Sequence, residues 1–256
     1  MRRRSLALAL SLLLPALLPA ASQAARPFDA RDMVTLDRVS SPTLSPDGRK
    51  LVVAVREVDF EANKASSGLW IEDLLARDAA PPVRFTAEGM SVNSPAFSPD
   101  GAHVYFLSAK SGSQQLWKQG VAGGDAVQVT DFPLDVGSYK LAPDGQSVAV
   151  SLEVFPDCAD LACTKQRLDE KAAAKTTGVL YDKLFVRHWD TWMDGRLNQL
   201  FVARFGADGK ATGEPVRLGG DVLAHGDAGG RPWAAVCRSR SGVQTGVAGK
   251  SWRPPM

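Results

Sequence analysis

A turn sequence that occurs three times constrains this chain more than any other feature. Ser-Pro-Asp-Gly occupies residues 45–48 and 98–101, and Ala-Pro-Asp-Gly occupies residues 142–145. Pro sets φ at the first corner of a turn, Asp hydrogen-bonds back to the backbone, and Gly accepts a positive φ. Because a strand-like apolar run follows each copy, each turn is predicted to join two strands of a hairpin.

The repeat extends beyond the turn. A Leu-Trp or Leu-Phe pair marks a second strand-like segment, at 68–71, 115–118 and 199–202. A third apolar segment closes each unit, at 82–86, 126–130 and 215–219. The prolines of the turns, Pro46, Pro99 and Pro143, recur after 53 and then 44 residues. Four strands per period of this length indicate β-propeller blades, so we predict an all-β fold: a partial β-propeller of about three four-stranded blades over 27–222.

These turns and Leu-Trp strands resemble the WD40-like propeller blades of TolB and of the prolyl oligopeptidase (S9) family of serine peptidases. Within S9 the similarity is to bacterial secreted dipeptidyl aminopeptidases and acylaminoacyl-peptidases. The stretch Leu-Phe-Val-Arg-His-Trp-Asp-Thr-Trp at 184–192 favours the peptidases over TolB. The resemblance covers about residues 27–222 and marks an architecture, since one fold serves many functions.

The third unit is interrupted. Trp117 follows Pro99 by 18 residues, whereas Phe201 follows Pro143 by 58, so an insertion of about 40 residues is predicted at about 153–196. Its Lys-, Ala- and Glu-rich part, residues 165–175, predicts an exposed helix that ends near Gly178. Long insertions in repeat proteins often lie on the working face.

The two ends of the chain differ from the repeats. Residues 1–24 have the arginines, apolar core and small residues of a signal peptide, whereas a membrane anchor would need a longer apolar run. We therefore expect a periplasmic or secreted protein with no membrane contact after cleavage. Residues 223–256 lack the repeat pattern and predict an irregular tail. We hypothesise a reading-frame shift near Asp221; a disordered tail is the alternative.

The chemistry implied by the resemblance is acyl transfer by a Ser-His-Asp triad on an α/β-hydrolase domain, with the serine in a Gly-x-Ser-x-Gly elbow. The sequence contains no such elbow; the nearest string, Gly-Val-Gln-Thr-Gly at 242–246, has Thr in place of Ser. No catalytic, cofactor-binding or metal-binding residue is therefore predicted, and short peptides would be substrates only through a hydrolase domain that this chain lacks.

The three histidines lie in different settings. His103 follows a turn and is expected at a surface or edge, and His225 lies in the predicted tail. His188 belongs to an aromatic and acidic stretch with two open interpretations. In the first, Trp189 and Trp192 anchor the insertion against the propeller. In the second, which follows from the resemblance, the insertion faces the hydrolase domain, and Asp190 or Asp194 receives the amino group of a substrate.

The cysteines do not have the spacing of a zinc site, because Cys158 and Cys163 lack a second pair. In an exported protein they are expected to form a disulfide, and Cys237 is left over in the tail. Trp70 and Trp117 occupy equivalent repeat positions and are predicted to be blade core. Glu57, Asp59 and Glu61 are read as a solvated loop.

Composition limits the partners. The formal net charge is +2, so no nucleic-acid partner is expected. The preferred interpretation is the propeller portion of an exported S9-type peptidase; the alternatives are a TolB-like periplasmic binding propeller without catalysis and a nonfunctional pseudogene product. Because an unclosed set of blades leaves sheet faces and edges uncovered, we expect the isolated chain to be poorly soluble or poorly stable.

Overall fold

Three antiparallel sheets of four strands account for most of the described chain, which comprises residues 26–76, 81–176, 178–181 and 186–218 of a computed structural model. Sheet 1 contains β1 (Arg38–Leu44), β2 (Lys50–Asp59), β3 (Lys64–Asp73) and β4 (Val83–Arg84). Sheet 2 contains β5 (Val92–Phe97), β6 (His103–Ser108), β7 (Gln115–Gly120) and β8 (Val127–Gln128). Sheet 3 contains β9 (Val136–Leu141), β10 (Ser147–Val154), β13 (Leu197–Phe205) and β14 (Ala211–Arg217). In each sheet the spatial order follows the sequence, which confirms four strands per unit.

The repeated turns have the predicted hydrogen bonds. In the second turn the Gly101 N–H donates to the Ser98 carbonyl at 2.9 Å, with Gly101 at φ +72°. The Asp100 carboxylate accepts the Ser98 hydroxyl and the Ala102 N–H, and these bonds hold the pKa of Asp100 below its usual value. The turn chemistry read from the sequence is thus the chemistry that closes each hairpin.

Successive sheets pack face to face. One apolar cluster joins sheets 1 and 2 through Val52, Leu69, Phe106 and Trp117, among others. A second cluster joins sheets 2 and 3, with Leu107, Leu116, Val148, Val150 and Phe201 among its members. The core of the described chain therefore lies in two layers, one on either side of sheet 2.

Threonines close the first two sheets in the same way. The Thr86 hydroxyl accepts the Leu69 N–H at 3.0 Å, and the Thr130 hydroxyl accepts the Leu116 N–H at 2.9 Å. The equivalent position in the third unit is Gly219, which lies outside the described residues and has no hydroxyl. This closing contact is consequently specific to the first two repeats.

A second compact unit contains residues 26–36 and 58–64, which include the end of β2 and the first residue of β3. Helix α1 (Ala30–Thr35) begins at Asp29 with a capping box, in which Asp29 and Asp32 accept each other's backbone N–H. Arg31 and Glu61 form an ion pair at 2.6 Å within this unit. The prediction of a solvated acidic loop therefore fits Glu61, whose side chain is 81% exposed, and is wrong for Glu57, which lies in β2 and forms an ion pair with Arg84.

Helix α2 (Leu161–Ala173) begins four residues before the predicted start at 165 and ends before the predicted Gly178. The start moves because the Asp160 carboxylate caps the helix by accepting the Cys163 N–H at 2.7 Å. The predicted disulfide between Cys158 and Cys163 is present, with a Cα–Cα distance of 5.6 Å. Just outside the helix Asp157 holds Arg167 through two hydrogen bonds of 2.8 and 2.7 Å.

The predicted signal peptide, residues 1–24, and the predicted tail, residues 223–256, lie outside the described residues. His225 and Cys237 belong to that tail. Among the residues that are described, none of the helices has the length and apolar character needed to cross a membrane.

Candidate functional site

A polar cavity of about 540 Å³ lies at one end of sheet 3. The first and last residues of the predicted insertion, Glu153 and Arg196, both line it. Glu153 lies near the end of β10 and Arg196 lies just before β13. Since these strands pair antiparallel, the two residues meet at the same end of the sheet, with Arg196 Nη2 3.3 Å from Glu153 Oε2. The other polar residues in the cavity wall are Asp135, Ser138, Ser151 and Asn198.

Arg196 also holds Asp194, one of the two predicted candidates for receiving an amino group. A turn at Gly195, with φ +93°, brings Arg196 Nε within 2.7 Å of Asp194 Oδ2, and the Arg196 N–H donates to Asp194 Oδ1 at 3.1 Å. Partial burial raises the pKa of Asp194, but the hydrogen bonds from Arg196 outweigh it, so the pKa lies below its usual value. Asp194 is thus ionised and already paired, which weakens its attraction for a further cation.

The chemistry of this cavity is that of binding. Asp135 accepts the Gln114 N–H at 2.7 Å, and the hydroxyls of Ser138 and Ser151 lie 2.9 Å apart. No histidine lines it among the described residues. The arrangement can hold a polar ligand through carboxylates, hydroxyls and one guanidinium.

The aromatic stretch forms a small hairpin of β11 (Arg187–His188) and β12 (Thr191–Trp192). Trp189 lies in its turn at φ +54° with 84% of its surface exposed, and Trp192 is 57% exposed. The interpretation that these tryptophans anchor the insertion is therefore wrong, because anchoring would bury them. His188 lies in β11, and its side chain is outside the described part of the structure.

A second cavity, of about 560 Å³, lies beside this hairpin. Trp192 stacks on Tyr181 with the ring centroids 5.9 Å apart, and the Arg187 guanidinium lies 5.5 Å from the Trp192 ring. Lys171 and Asp194 add one charge of each sign to the lining, beside Val179 and Met193. Two aromatic rings beside an ammonium group and an already paired carboxylate can hold a ligand with an apolar group and a negative charge.

Sequence reasoning singled out Asp194 and the tryptophans but missed Glu153, Arg196 and Tyr181. Glu153 and Arg196 mark the two ends of the interruption in the repeat, and this position is the signal that could have found them. Asp190 lies in the hairpin turn, where its carboxylate is 3.5 Å from the Thr191 hydroxyl. Asp194 lines the cavity beside the hairpin, and it pairs with Arg196, which lines the polar cavity.

The remaining predicted residues lie away from these cavities. His103 begins β6, is half-buried, and donates its backbone N–H to the Ser98 hydroxyl at 2.9 Å. Trp117 is core, as predicted, with 8% exposure. Trp70 is only half-buried, and its indole N–H has no hydrogen-bond partner among the described residues. The two tryptophans are equivalent in sequence but not in surroundings.

Several peptidases resemble this chain in sequence or in fold. No protein-family model matches the chain. Dipeptidyl-peptidase 5 of Porphyromonas gingivalis is 28% identical over 230 residues, which cover 86% of this chain and 29% of that protein. The uncharacterized peptidase YuxL of Bacillus subtilis is 29% identical over 126 residues, 49% of this chain and 19% of that protein. The acylaminoacyl peptidase of Pyrococcus horikoshii shares the fold with a TM-score of 0.52 at 14% identity, over 74% of this chain and 27% of the solved one.

These similarities confirm the resemblance predicted from the repeats. The chain is similar in sequence to these two peptidases and shares its fold with part of an acylaminoacyl peptidase. It spans less than a third of the length of the relatives it matches. The similarity therefore concerns the sheets described above.

Proposed function

We propose that residues 27–222 are the propeller portion of an exported S9-type serine peptidase that acts on short peptides, with the catalytic α/β-hydrolase domain outside this sequence. The observation that carries the proposal is the 28% identity to a dipeptidyl-peptidase over 230 residues, because it runs through all three sheets and the interrupted third repeat. The three sheets are then three blades, and residues 153–196 are an insertion in the third.

The two cavities, one at the end of sheet 3 and one beside the aromatic hairpin, support a role in handling peptides. They combine carboxylates, a guanidinium, hydroxyls and exposed aromatic rings in neighbouring sites. A propeller that covers a hydrolase active site would use such groups to position a peptide rather than to cleave it. Catalysis belongs to the hydrolase domain in this proposal, so the chain contributes binding and access.

Export is the second part of the proposal. Residues 1–24 direct the chain across the membrane and are removed, and the disulfide between Cys158 and Cys163 is supported by an oxidising compartment. Residues 223–256 are an irregular tail produced by a shift of reading frame. Fusion of residues 1–30 to a periplasmic reporter tests export: an active reporter that begins at Ala25 is expected, and a retained, uncleaved fusion contradicts it.

The catalytic assignment is tested with a fluorophosphonate probe and chromogenic dipeptide and N-acyl-amino-acid substrates. The chain alone is expected to show neither labelling nor cleavage. The DNA beyond codon 256 is then translated in all three frames, and a frame with further repeats and a Gly-x-Ser-x-Gly elbow is expected. The product joined in that frame should label and cleave, and its Ser→Ala variant should do neither.

Two outcomes contradict the proposal in different ways. Labelling of the chain by itself would mean that it contains a nucleophile that the motif search did not find. The lack of an elbow in every frame would favour the TolB-like binding propeller, since nothing would then supply the catalysis.

A further inference from the structure

The cavity beside the aromatic hairpin joins apolar walls to charged groups. Its volume of about 560 Å³ is that of a site for a small molecule or for one end of a peptide. The apolar part of the wall comes from two aromatic rings, Tyr181 and Trp192, and from Val179 and Met193. The charged groups therefore decide which end of a peptide the cavity can hold.

The carboxylate of Asp194 is already neutralised. It accepts two hydrogen bonds from Arg196, one from Nε at 2.7 Å and one from the backbone N–H at 3.1 Å. An incoming ammonium group would have to compete with this guanidinium for the same oxygens. The cavity is therefore poorly suited to the amino end of a peptide.

The ammonium group of Lys171, by contrast, has no salt bridge or hydrogen bond with any residue that the structure describes. Two basic residues nearer the start of α2 are paired. Lys165 binds Asp169 at 2.5 Å, and Arg167 binds Asp157 at 2.7 Å. Lys171 is thus the basic residue of this helix whose charge remains for a ligand.

The spacing of α2 places Lys171 on the side of the helix that faces the protein. Lys171 follows Thr164 by seven residues and Leu168 by three, so the three share one face. Thr164 is buried and its hydroxyl accepts the Phe155 N–H at 3.3 Å, while Leu168 packs against an apolar cluster. Lys171 also lies in the last turn of α2, where the free carbonyl groups favour a positive charge.

A second cation lies against the aromatic wall. Arg187 and Trp192 are opposite each other in the hairpin, so their side chains lie on the same face of it. The Arg187 guanidinium is 5.5 Å from the centroid of the Trp192 ring and has no salt bridge with a described residue. Asp190 lies in the turn of the hairpin and does not line the cavity. The charge that remains for a ligand is therefore positive.

We propose that this cavity binds the free C-terminal carboxylate of a short peptide whose last side chain is apolar. Lys171 pairs with the carboxylate, and the apolar side chain lies against Trp192 and Met193. This inference rests on the proposed function and names the end of the peptide that the propeller portion holds. Because a chain has its carboxylate at one end only, the contact selects free peptide ends over internal segments of a protein.

The first test uses the purified full chain labelled with fluorotryptophan, in which Phe substitutions assign the fluorine NMR signals of Trp192 and of the buried Trp117. Acetyl-Ala-Ala-Leu, which has a free carboxylate and no amino group, should shift the Trp192 signal until it saturates and leave the Trp117 signal in place. Its C-terminal amide should bind roughly 10-fold more weakly, because it cannot form the charged hydrogen bond. Equal binding of acid and amide, or no shift at Trp192, would overturn the proposal.

A matched pair of lysine variants locates the positive charge. Lys171→Met removes the charge and keeps a long side chain, so the affinity for the acid should fall roughly 10-fold and that for the amide should stay the same. Lys165→Met is the control on the same helix, because Lys165 pairs with Asp169 and does not line the cavity. An equal loss of affinity in the two variants would overturn the role of Lys171.

Octanoate separates peptides from fatty acids, since it has a carboxylate and an apolar chain but no peptide groups for Arg187 to bind. It should bind more weakly than the peptide, and equal or tighter binding would overturn the assignment to peptides. These measurements need no hydrolase domain. A lack of binding would therefore overturn this inference alone, whereas the lack of an elbow in every reading frame would contradict the proposed function and leave the binding result unchanged.

Discussion

Sheets 2 and 3 are built from the same repeat but are buried differently. In β6 the five residues from Val104 to Ser108 are all buried, so both faces of the strand are covered. In β10 buried and half-buried residues alternate from Ser147 to Leu152, so one face is covered. β2 of sheet 1 alternates in the same way over the five residues after Lys50. The comparison shows that burial in a repeat depends on its neighbours and not on its own strand pattern.

Part of this difference in burial corresponds to a difference in side-chain size. Sheet 2 has Tyr105 and Leu107 on the back face, where sheet 3 has Ala149 and Ser151. Large apolar residues at these positions gain more from a covering sheet, because the free energy of burial follows the apolar area removed from water. A covered sheet therefore has larger apolar side chains at equivalent positions. A search for alternating apolar and polar residues does not detect this difference.

The largest expected effect uses two equivalent leucines. Leu116 is fully buried in sheet 2, and Leu200 is its half-buried counterpart in sheet 3. Leu116→Ala should lower the free energy of unfolding by about 2–5 kcal/mol, and Leu200→Ala by about 1 kcal/mol, since a partly exposed site leaves no closed cavity. Urea unfolding at 1 μM chain measures both values. Equal losses of unfolding free energy for the two variants would mean that sheets 2 and 3 do not differ in burial as the structure describes.

The second comparison concerns equivalent glutamines. Gln115 is fully buried and binds the segment that joins β8 to β9. Its side-chain amide accepts the Phe132 N–H at 3.1 Å and donates to the Leu134 carbonyl at 3.1 Å. Gln115→Leu should cost about 2–3 kcal/mol, because it leaves buried backbone groups unpaired. Gln199→Leu should be near neutral, since Gln199 Oε1 is buried without a partner in the described part of the chain. Thermal unfolding of both variants decides it, and a larger loss for Gln199→Leu would contradict the comparison.

The third prediction tests whether sheet 3 depends on its disulfide. Replacing Cys158 and Cys163 together by Ser should lower the free energy of unfolding by about 2 kcal/mol, the value for a short closed loop. The Arg217 guanidinium binds the Cys158 carbonyl at 3.0 Å, so the loss should appear at β14. Hydrogen exchange of β14 provides the local measurement. Dithiothreitol should destabilise the wild type and leave the double variant unchanged. An equal effect on both proteins would mean that the loss of stability does not come from this disulfide.

The smallest effect is expected at Tyr139, which joins sheets 2 and 3 by donating its hydroxyl to the Ser94 carbonyl at 2.8 Å. Burial raises the pKa of Tyr139, so its stabilisation is fully present below the unfolded value, about 10, and is lost as pH rises above it. Tyr139→Phe should cost about 1 kcal/mol at pH 7. It should also reduce the loss of stability above pH 10 relative to wild type. Identical pH profiles for the two proteins would contradict this role.

The sequence predicted the four-strand units because their signals are local. The turn residues fix the hairpins, and the spacing of the Leu-Trp pairs gives the period. The disulfide was also predictable, since Cys158 and Cys163 are close in the chain. The start of α2 was missed by four residues because Asp160, a strong helix cap, was not used as a start signal.

The candidate site was less predictable than the fold. Asp194 was recognised as a carboxylate of interest, but its pairing with Arg196 was not, and Glu153 is more than forty residues away from Arg196 in sequence. The interpretation that Trp189 and Trp192 are anchored against the propeller was wrong, because no described surface covers the hairpin and both side chains are exposed. Ion pairs and exposure depend on which distant segments meet.

By itself, the sequence determined the repeat, the turns and the order of the strands, since these follow from hydrogen bonds and side-chain alternation over a few residues. Only the tertiary structure decided which sheet faces are covered and that the aromatic hairpin is exposed. It also placed Glu153 beside Arg196 in a common cavity. The physical reason is that burial and electrostatic pairing are set by the surfaces that the fold brings together, and equivalent residues such as Trp70 and Trp117 differ only in what lies against them.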